Sequence, residues 1–246
     1  MSRVLAAQLA LDYCCTEADI LSPGNVFSVH SFLPGRRCWQ EGNECYLKIA
    51  ALGGKLLFAG REDIVDRCRR QYADRGGEWF FEAKNLRLLN DRIHADGYRI
   101  ESVHPFFIAE EPTSANARDY SIEWYDEAAI ERFRGDERFG EAFAFYPNAP
   151  DVLGDSASKG GTILGMAGAS CDSPTMWQIG INVEPDARQR GIGTLLVTLL
   201  KNEIIRRGVL PFYGTSMSHI ASQRVALSAG FLPAWAELVT AKADGD

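Results

Sequence analysis

The chain has 246 residues, of which 46% are hydrophobic and 24% are charged, as in globular proteins with a sizeable core. This length allows one large domain or two ordinary ones. The 33 acidic and 26 basic residues give a net charge of −7, which disfavours nucleic acid as a partner and favours a cationic substrate. No segment approaches the roughly 18 apolar residues that span a bilayer, so we expect a cytoplasmic protein without a membrane partner.

The cysteines do not indicate a metal site. They are scattered along the chain without a CxxC pair, which favours free and mostly buried thiols over a disulfide framework or a zinc site. The six are Cys14, Cys15, Cys38, Cys45, Cys68 and Cys171. We therefore expect no metal cofactor.

The first half of the sequence reads as a small α/β unit. Two strand-like runs flank the Gly53-Gly54 pair, which is a hairpin signal, and apolar residues at helical spacing follow. The predicted elements are strands Cys45–Ala51 and Lys55–Ala59, helix Glu62–Tyr72, strand Glu78–Glu82, a helix carrying Leu86, Leu89 and Ile93 that stops at Gly97, and strand Tyr98–Ala109.

A domain boundary is predicted near residue 112. Between Glu110 and Asp119 the sequence loses its hydrophobic periodicity, as a linker does. We predict an N-terminal α/β domain over residues 1–112 and a second α/β domain over residues 113–246.

The second half alternates strands with helices. Its most regular helix has leucines on one face, arginines near its C-terminal end and a glycine stop. The predicted elements are strand Tyr120–Tyr125, a helical segment Asp126–Phe139, strand Phe143–Tyr146, loop Pro147–Gly161, strands Thr162–Ser170 and Trp177–Val183, helix Gly193–Arg207, strand Val209–Thr215, helix Ile220–Ala229 and strand Phe231–Thr240.

The segment from Val183 to Thr194 joins a strand to the start of that helix through a loop containing glycines. Such a junction directs free backbone amides and the positive end of the helix dipole at one point, where a diphosphate fits. Gly191 and Gly193 let the backbone approach the phosphates, while Arg188 and Arg190 add charge. Alone this is a weak signal, because glycines at turns are usually turn formers. Neither a Walker loop nor a dinucleotide fingerprint is completed here.

The same segment resembles the Arg/Gln-x-x-Gly-x-Gly/Ala signature of the GNAT acetyltransferases, with Arg188, Gly191 and Gly193 at its defining positions. The resemblance continues through Ser218–Phe231, which is similar to the family's helix-to-strand block ending in Gly-Phe. It covers the chain from about Tyr120 onward. More narrowly, the motifs at residues 176–181 and 211–216 resemble a little-characterised bacterial subgroup with an extra N-terminal α/β domain.

The resemblance implies a twisted mixed sheet flanked by helices, in which strand Trp177–Val183 splays away from strand Val209–Thr215. The pantetheine arm of acetyl-CoA, the acyl-donor cosubstrate, would lie in that gap. The residues that the resemblance implies in binding acetyl-CoA as a whole are Ile181, Val183, Arg188, Gln189, Arg190, Gly191, Ile192, Gly193, Thr194 and Ser222. Since no second signature block precedes Glu110, one such site per chain is expected.

The activity implied is direct transfer of an acetyl group from acetyl-CoA to a primary amine within a ternary complex. The partner expected is a small, cationic amine, and a homodimer stays open. An alternative that places a covalent acyl intermediate on Cys171 is disfavoured, because no histidine lies near it in sequence.

The sequence departs from the family at the proton-transfer positions. Many members carry Glu where Gln178 stands and Tyr where Ala226 stands. We expect Gln178 to orient the amine or a water, and His219 to influence the thiol leaving group, as the two candidate catalytic residues. A helix-start role explains His219 equally well.

Two further residues are candidates for the missing base, namely Asp172 and Glu237. Their simpler interpretations are a turn residue and a solvated strand position. The missing proton-transfer residues keep a second function open, in which the protein binds or senses acyl-CoA with little or no catalysis.

Overall fold

The computed structural model describes residues 2–37, 45–117 and 119–243. Its α-helices are α1 (Arg3–Asp12), α2 (Glu17–Leu21), α3 (Glu62–Tyr72), α4 (Ala83–His94), α5 (Glu127–Ile130), α6 (Ile192–Arg206) and α7 (Ile220–Ser228). Its strands are β1 (Val26–Val29), β2 (Leu47–Leu52), β3 (Lys55–Gly60), β4 (Tyr98–Ile108), β5 (Ser121–Asp126), β6 (Asp151–Lys159), β7 (Thr162–Ser170), β8 (Met176–Val183), β9 (Leu210–Gly214) and β10 (Leu232–Lys242). The α/β fold class is confirmed.

Two predicted strands are wrong. Residues 78–82 form turns that bury Phe80 but leave Trp79 74% exposed, so the aromatic run does not alternate as a strand requires. Residues 143–146 are also outside any strand, since Phe145 adopts a left-handed φ of 53°. The predicted loop Pro147–Gly161 in turn contains strand β6.

The first compact unit contains the described residues of Met1–Arg36, Gln40–Phe106 and Ala234–Asp246. Its strands follow the order β1-β3-β2-β10-β4. The hairpin of β2 and β3 turns at Gly53 and Gly54, whose φ angles of 55° and 84° suit glycine. Apolar residues of the strands and of α3 and α4 form its core, which includes Phe58, Ile64 and Leu89.

The second compact unit contains the described residues of Arg37–Trp39 and Phe107–Pro233. Its strands β9-β8-β7-β6-β5 form a mixed sheet, in which β8 and β9 are parallel and the other neighbours are antiparallel. One face packs against α6 through residues such as Ala167, Ile179 and Leu196. The other face packs against residues 129–145 through Phe143 and Met166.

The compact units differ from the predicted division at residues 112 and 113. The structure assigns residues from Ala234 onward to the first unit. The reason is that β10 pairs antiparallel with β2, where Leu238 lies opposite Ile49. Whether residues 1–112 form a domain of their own stays a prediction.

Cys14, Cys15, Cys68 and Cys171 are free thiols. Only Cys68 is buried, so the expectation of mostly buried thiols is wrong for the described part of the chain, and Cys38 lies outside it. No group of three or more His, Cys, Asp or Glu side chains within the described residues is placed to hold a metal ion. No helix in the described ranges is long and apolar enough to cross a membrane.

Candidate functional site

Residues 183–194, which we call the anion site, form a strand-loop-helix segment whose local features suit a negatively charged ligand. After β8 a short 3-10 turn leads to Gly191, the N-cap of α6, which adopts a left-handed φ of 77°. Apart from its chain neighbours, no atom of the described residues lies within 4 Å of the position that a Cβ of Gly191 would take, so the space beside it is open. The first amides of a helix lack intrahelical acceptors, and Gly191 has no side chain with which to cap them. With no acidic residue in the first turn, the helix dipole favours a negative ligand.

Two arginines stiffen this loop. Arg188 donates from Nε to the carbonyl of Val183 at 3.2 Å, and Arg190 donates from Nη2 to the carbonyl of Asp186 at 2.7 Å. Both residues are exposed. Between them Gln189 adopts a left-handed φ of 62°, a conformation that side-chain-bearing residues seldom take and that often marks functional loops. The loop therefore presents two anchored positive charges beside the helix amides.

The next positions explain the Gly/Ala of the signature. A Cβ on Gly193 would lie 3.4 Å from Val183 Cγ2 and 3.5 Å from Val225 Cγ2, which is ordinary contact, so alanine fits there. Ile192 is 1% exposed and packs into the core, which leaves only its backbone to a ligand. Thr194 is half-buried, and its carbonyl accepts a bond from Thr198.

A gap opens between β8 and β9. The two strands pair only from Met176–Gln178 to Leu210–Phe212. Beyond Gln178, β8 continues to pair with β7 but has no described pairing with β9. Ile181 and Val183 lie on this splayed part of β8, which ends at the anion site. The predicted splay is confirmed, and it leaves this part of β8 without a described partner strand on its β9 side.

The predicted catalytic residues occupy two different elements. Gln178 is half-buried and is the last residue of β8 that pairs with β9. His219 is the N-cap residue of α7, but its exposed side chain makes no capping bond. Ser222 shares a 2.8 Å hydrogen bond with the hydroxyl of Tyr213. Ala226 is fully buried. The catalytic roles of Gln178 and His219 and the cofactor-binding list remain predictions.

The two further base candidates both accept hydrogen bonds from other side chains. Asp172 is 3% exposed, and this burial raises the pKa of its carboxyl to about 6. A hydrogen bond from Ser170, the charge of Arg37 and a hydrogen bond from the backbone of Gln178 lower the pKa in part. The Ser170 hydroxyl donates to this carboxyl at 2.7 Å. Glu237 belongs to the first unit and accepts a bond from Tyr13 at 3.1 Å.

Sequence reasoning missed the segment of residues 136–143, which we call the cover segment. The side chain of Asn182 on β8 accepts bonds from the amides of Glu141 at 2.9 Å and Ala142 at 2.8 Å. Arg138 forms an ion pair with Glu184 at 3.6 Å. The cover segment is thereby attached to the same strand that ends at the anion site.

A row of glycines lets the cover segment lie against the sheet. Gly154, Gly168 and Gly180 are direct neighbours across β6, β7 and β8. A Cβ at any of them would overlap residues 141–143, and one at Gly180 would collide with the carbonyl oxygen of Glu141. Glycines inside strands indicate such close approach, so this was a readable signal.

Tyr213 lies just past the last paired residue of β9 and is 2% exposed. Burial raises the pKa of its hydroxyl, the bond with Ser222 lowers it, and the negative charge of Glu141 raises it again. Glu141 is therefore an acidic residue whose charge acts on a side chain of β9, and the sequence analysis did not single it out.

The chain belongs to the acetyltransferase (GNAT) family, whose model matches residues 109–231. This match covers the mixed sheet from β5 to β9, the anion site and α7. The family assignment made from the sequence is confirmed, whereas membership of the bacterial subgroup stays a prediction. No curated protein matches the chain.

Several solved structures are similar to this chain at low identity. They include a GCN5-related N-acetyltransferase-like protein from Streptococcus suis, with 15% identity, a TM-score of 0.45, and coverage of 77% of this chain and 82% of that one. A GCN5-related N-acetyltransferase from Kribbella flavida has 15% identity, a TM-score of 0.45 and coverage of 62% and 63%. An aminoglycoside N-acetyltransferase in complex with CoA has 26% identity, a TM-score of 0.34 and coverage of 46% and 91%.

Proposed function

We propose that this protein transfers an acetyl group from acetyl-CoA to a small, cationic primary amine. The observation that carries the proposal is the continuity of the splayed strand with the anion site, since β8 leaves β9 after Gln178 and ends at the loop before α6. A coenzyme A molecule has the matching shape, with a diphosphate at one end and an extended arm at the other. Family membership supports the same donor.

The donor would be held by groups already described. The diphosphate would accept bonds from the first amides of α6, with Arg188 and Arg190 beside it. The pantetheine arm would lie along Ile181 and Val183 as an added strand and bond to their backbone. Ser222, which lies on α7 and bonds to Tyr213, would line the opposite side of the gap.

Direct transfer to the amine is the simplest chemistry for this site. A covalent route needs a thiolate on Cys171. Burial is the largest influence on that thiol and raises its pKa, which disfavours the thiolate. The amine must instead be presented in its neutral form. At pH 7 this costs about 4–5 kcal/mol for a lysine-like amine and about 1.4 kcal/mol for an α-amine. A strongly basic acceptor therefore requires a proton acceptor in the site.

The test is release of free CoA, followed with a thiol reagent, during incubation with acetyl-CoA and spermidine, lysine or kanamycin in turn. We expect amine-dependent release with at least one of them. Calorimetry on the same sample reports acetyl-CoA binding independently. Binding without release from any amine would reject the transferase and support the binding or sensor function, while absence of binding would reject both.

A further inference from the structure

We propose that Glu141 is the acceptor-side catalytic carboxylate, which binds the ammonium group of the incoming amine and takes its proton during transfer. This inference rests on the proposed function, because it needs acetyl-CoA in the gap beside β8. It assigns the missing base to the cover segment, which lies outside both sequence motifs.

The face of the sheet is the first argument. Ile179 and Ile181 of β8 face the core beneath α6. Gly180, between them, faces the opposite side, where the carbonyl oxygen of Glu141 lies against it. Glu141 itself is exposed. The backbone of Glu141 therefore lies on the face of β8 opposite α6, and its side chain is open to solvent, from which an amine can approach.

The position along β8 is the second argument. A diphosphate at the α6 terminus places the arm of the donor so that it runs back from Val183 toward Gln178. The distance from Val183 to Gly180 is three residues, or about 10 Å in an extended strand. The reactive end of the arm would then lie near Gly180, where the gap narrows. The backbone of Glu141 lies against Gly180, whereas Arg188 and Arg190 lie in the loop that would hold the diphosphate.

The fixed backbone of Glu141 is the third argument. Asn182 accepts bonds from the amides of both Glu141 and Ala142, and no Cβ at Gly180 intervenes. The backbone of Glu141 is therefore held in place without a ligand, which limits where its carboxylate can lie. The negative charge of Glu141 also raises the pKa of Tyr213 on β9.

The reaction balances with these groups. The carboxylate first pairs with the ammonium ion and accepts one proton, which leaves a neutral amine. The amine nitrogen attacks the thioester carbon, a C–N bond forms, and the C–S bond breaks. The nitrogen loses its second proton to the departing sulfur, directly or through water, and the products are the N-acetyl amine and CoA. The carboxylate returns its proton to solvent.

The experiment compares Glu141→Gln with Glu137→Gln, using the amine that gives the fastest CoA release. Both changes remove one negative charge from an exposed glutamate of the cover segment, but only the backbone of Glu141 lies against Gly180 of β8. We expect Glu141→Gln to lower kcat/KM by about 10²-fold at pH 7 and Glu137→Gln to leave it within twofold. Calorimetry should give the wild-type Kd for acetyl-CoA with both variants.

The pH profile separates proton transfer from a structural effect. The deficit of Glu141→Gln should shrink as the pH rises toward the pKa of the amine, because the amine then arrives neutral. A Glu141→Gln activity within twofold of wild type at every pH would overturn the inference and leave the proposed function standing. A deficit that is constant with pH would also overturn it. If wild-type protein releases no CoA with any amine, the proposed function fails and this inference fails with it.

Discussion

Two neighbouring parts of β8 differ in how their surroundings are built. At the C-terminal end of the strand, residues 183–194 form the anion site from one short, continuous segment in which a strand, a loop and a helix follow directly. Three residues before that end, the environment of Gly180 comes from the cover segment, about 40 residues earlier in the chain. A phosphate site needs mainly backbone amides, which a local motif can supply. An acceptor site needs a particular side chain at a particular place, and under our proposal tertiary packing supplies Glu141.

The largest expected effect tests the local site. Gly191→Glu places a negative side chain in the open space beside the helix amides, so it should weaken acetyl-CoA binding by more than about 10²-fold, through charge repulsion and loss of the phosphate contacts. Calorimetry measures the change, and circular dichroism checks the fold.

The matched control is Gly208→Glu, at the other end of α6. Gly208 has a φ of 78° and open space around its Cβ position, as Gly191 does, so both variants carry the same backbone strain. Only the Gly191 variant should lose binding. Equal losses in both would show that strain, and not the phosphate site, is responsible.

The second test concerns His219, which precedes α7 and belongs to neither the anion site nor the cover segment. If its imidazole influences the leaving group, His219→Ala should lower kcat by about 10²-fold and remove a limb of the pH profile. Its side chain makes no capping bond, so stability should change by less than about 0.5 kcal/mol.

The variant His219→Asn, which removes the imidazole but keeps a polar side chain at the start of α7, is the companion measurement. It should keep wild-type acetyl-CoA binding and lose the same limb. Survival of that limb in either variant would exclude His219 as the titrating group and leave the proton transfer to the cover segment.

A smaller effect concerns the pH dependence of stability. It involves Asp172, whose carboxyl interacts with the backbone of Gln178. Its folded pKa of about 6 lies above the ordinary value of 3.8, so the folded state binds the proton more tightly than the unfolded state. Its contribution to stability is therefore present at low pH and is lost as the pH rises from about 4 to about 6, by about 3 kcal/mol. Burial likewise raises the pKa of Asp151 and Asp155.

Asp172→Asn should accordingly gain up to about 3 kcal/mol relative to wild type between pH 4 and pH 7, measured by denaturant unfolding. The exposed Asp119→Asn is the control and should show no such trend. A difference between Asp172→Asn and wild type that does not vary with pH would contradict the burial argument.

The sequence predicted most elements of this fold because their signals are local. The bounds of α3 and β7 agree with the prediction to the residue, and the splay of β8 from β9 followed from the family resemblance. Strand β6 was missed because its sequence is rich in small and polar residues, such as Gly154 and Ser156. It is nevertheless an inner strand, buried between β5 and β7, where small residues allow close packing.

The predicted site shows the same limit. The loop residues Arg188 to Thr194 lie together because they are consecutive. Glu141 was invisible in its own sequence context, an exposed glutamate in an irregular segment. Its signal lay instead in Gly154, Gly168 and Gly180, whose pairing across three strands becomes evident only once the register is known. Until β6 is recognised as a strand and paired with β7 and β8, no pattern within one segment shows that these glycines are neighbours.

The most direct test of where acetyl-CoA binds is amide hydrogen exchange of the wild-type protein with and without acetyl-CoA. The account predicts slower exchange in peptides covering residues 181–194, and unchanged exchange in α3 and α4 of the first unit. Unchanged exchange over residues 181–194 at saturating acetyl-CoA, or protection confined to the first unit, would contradict the assignment of the site.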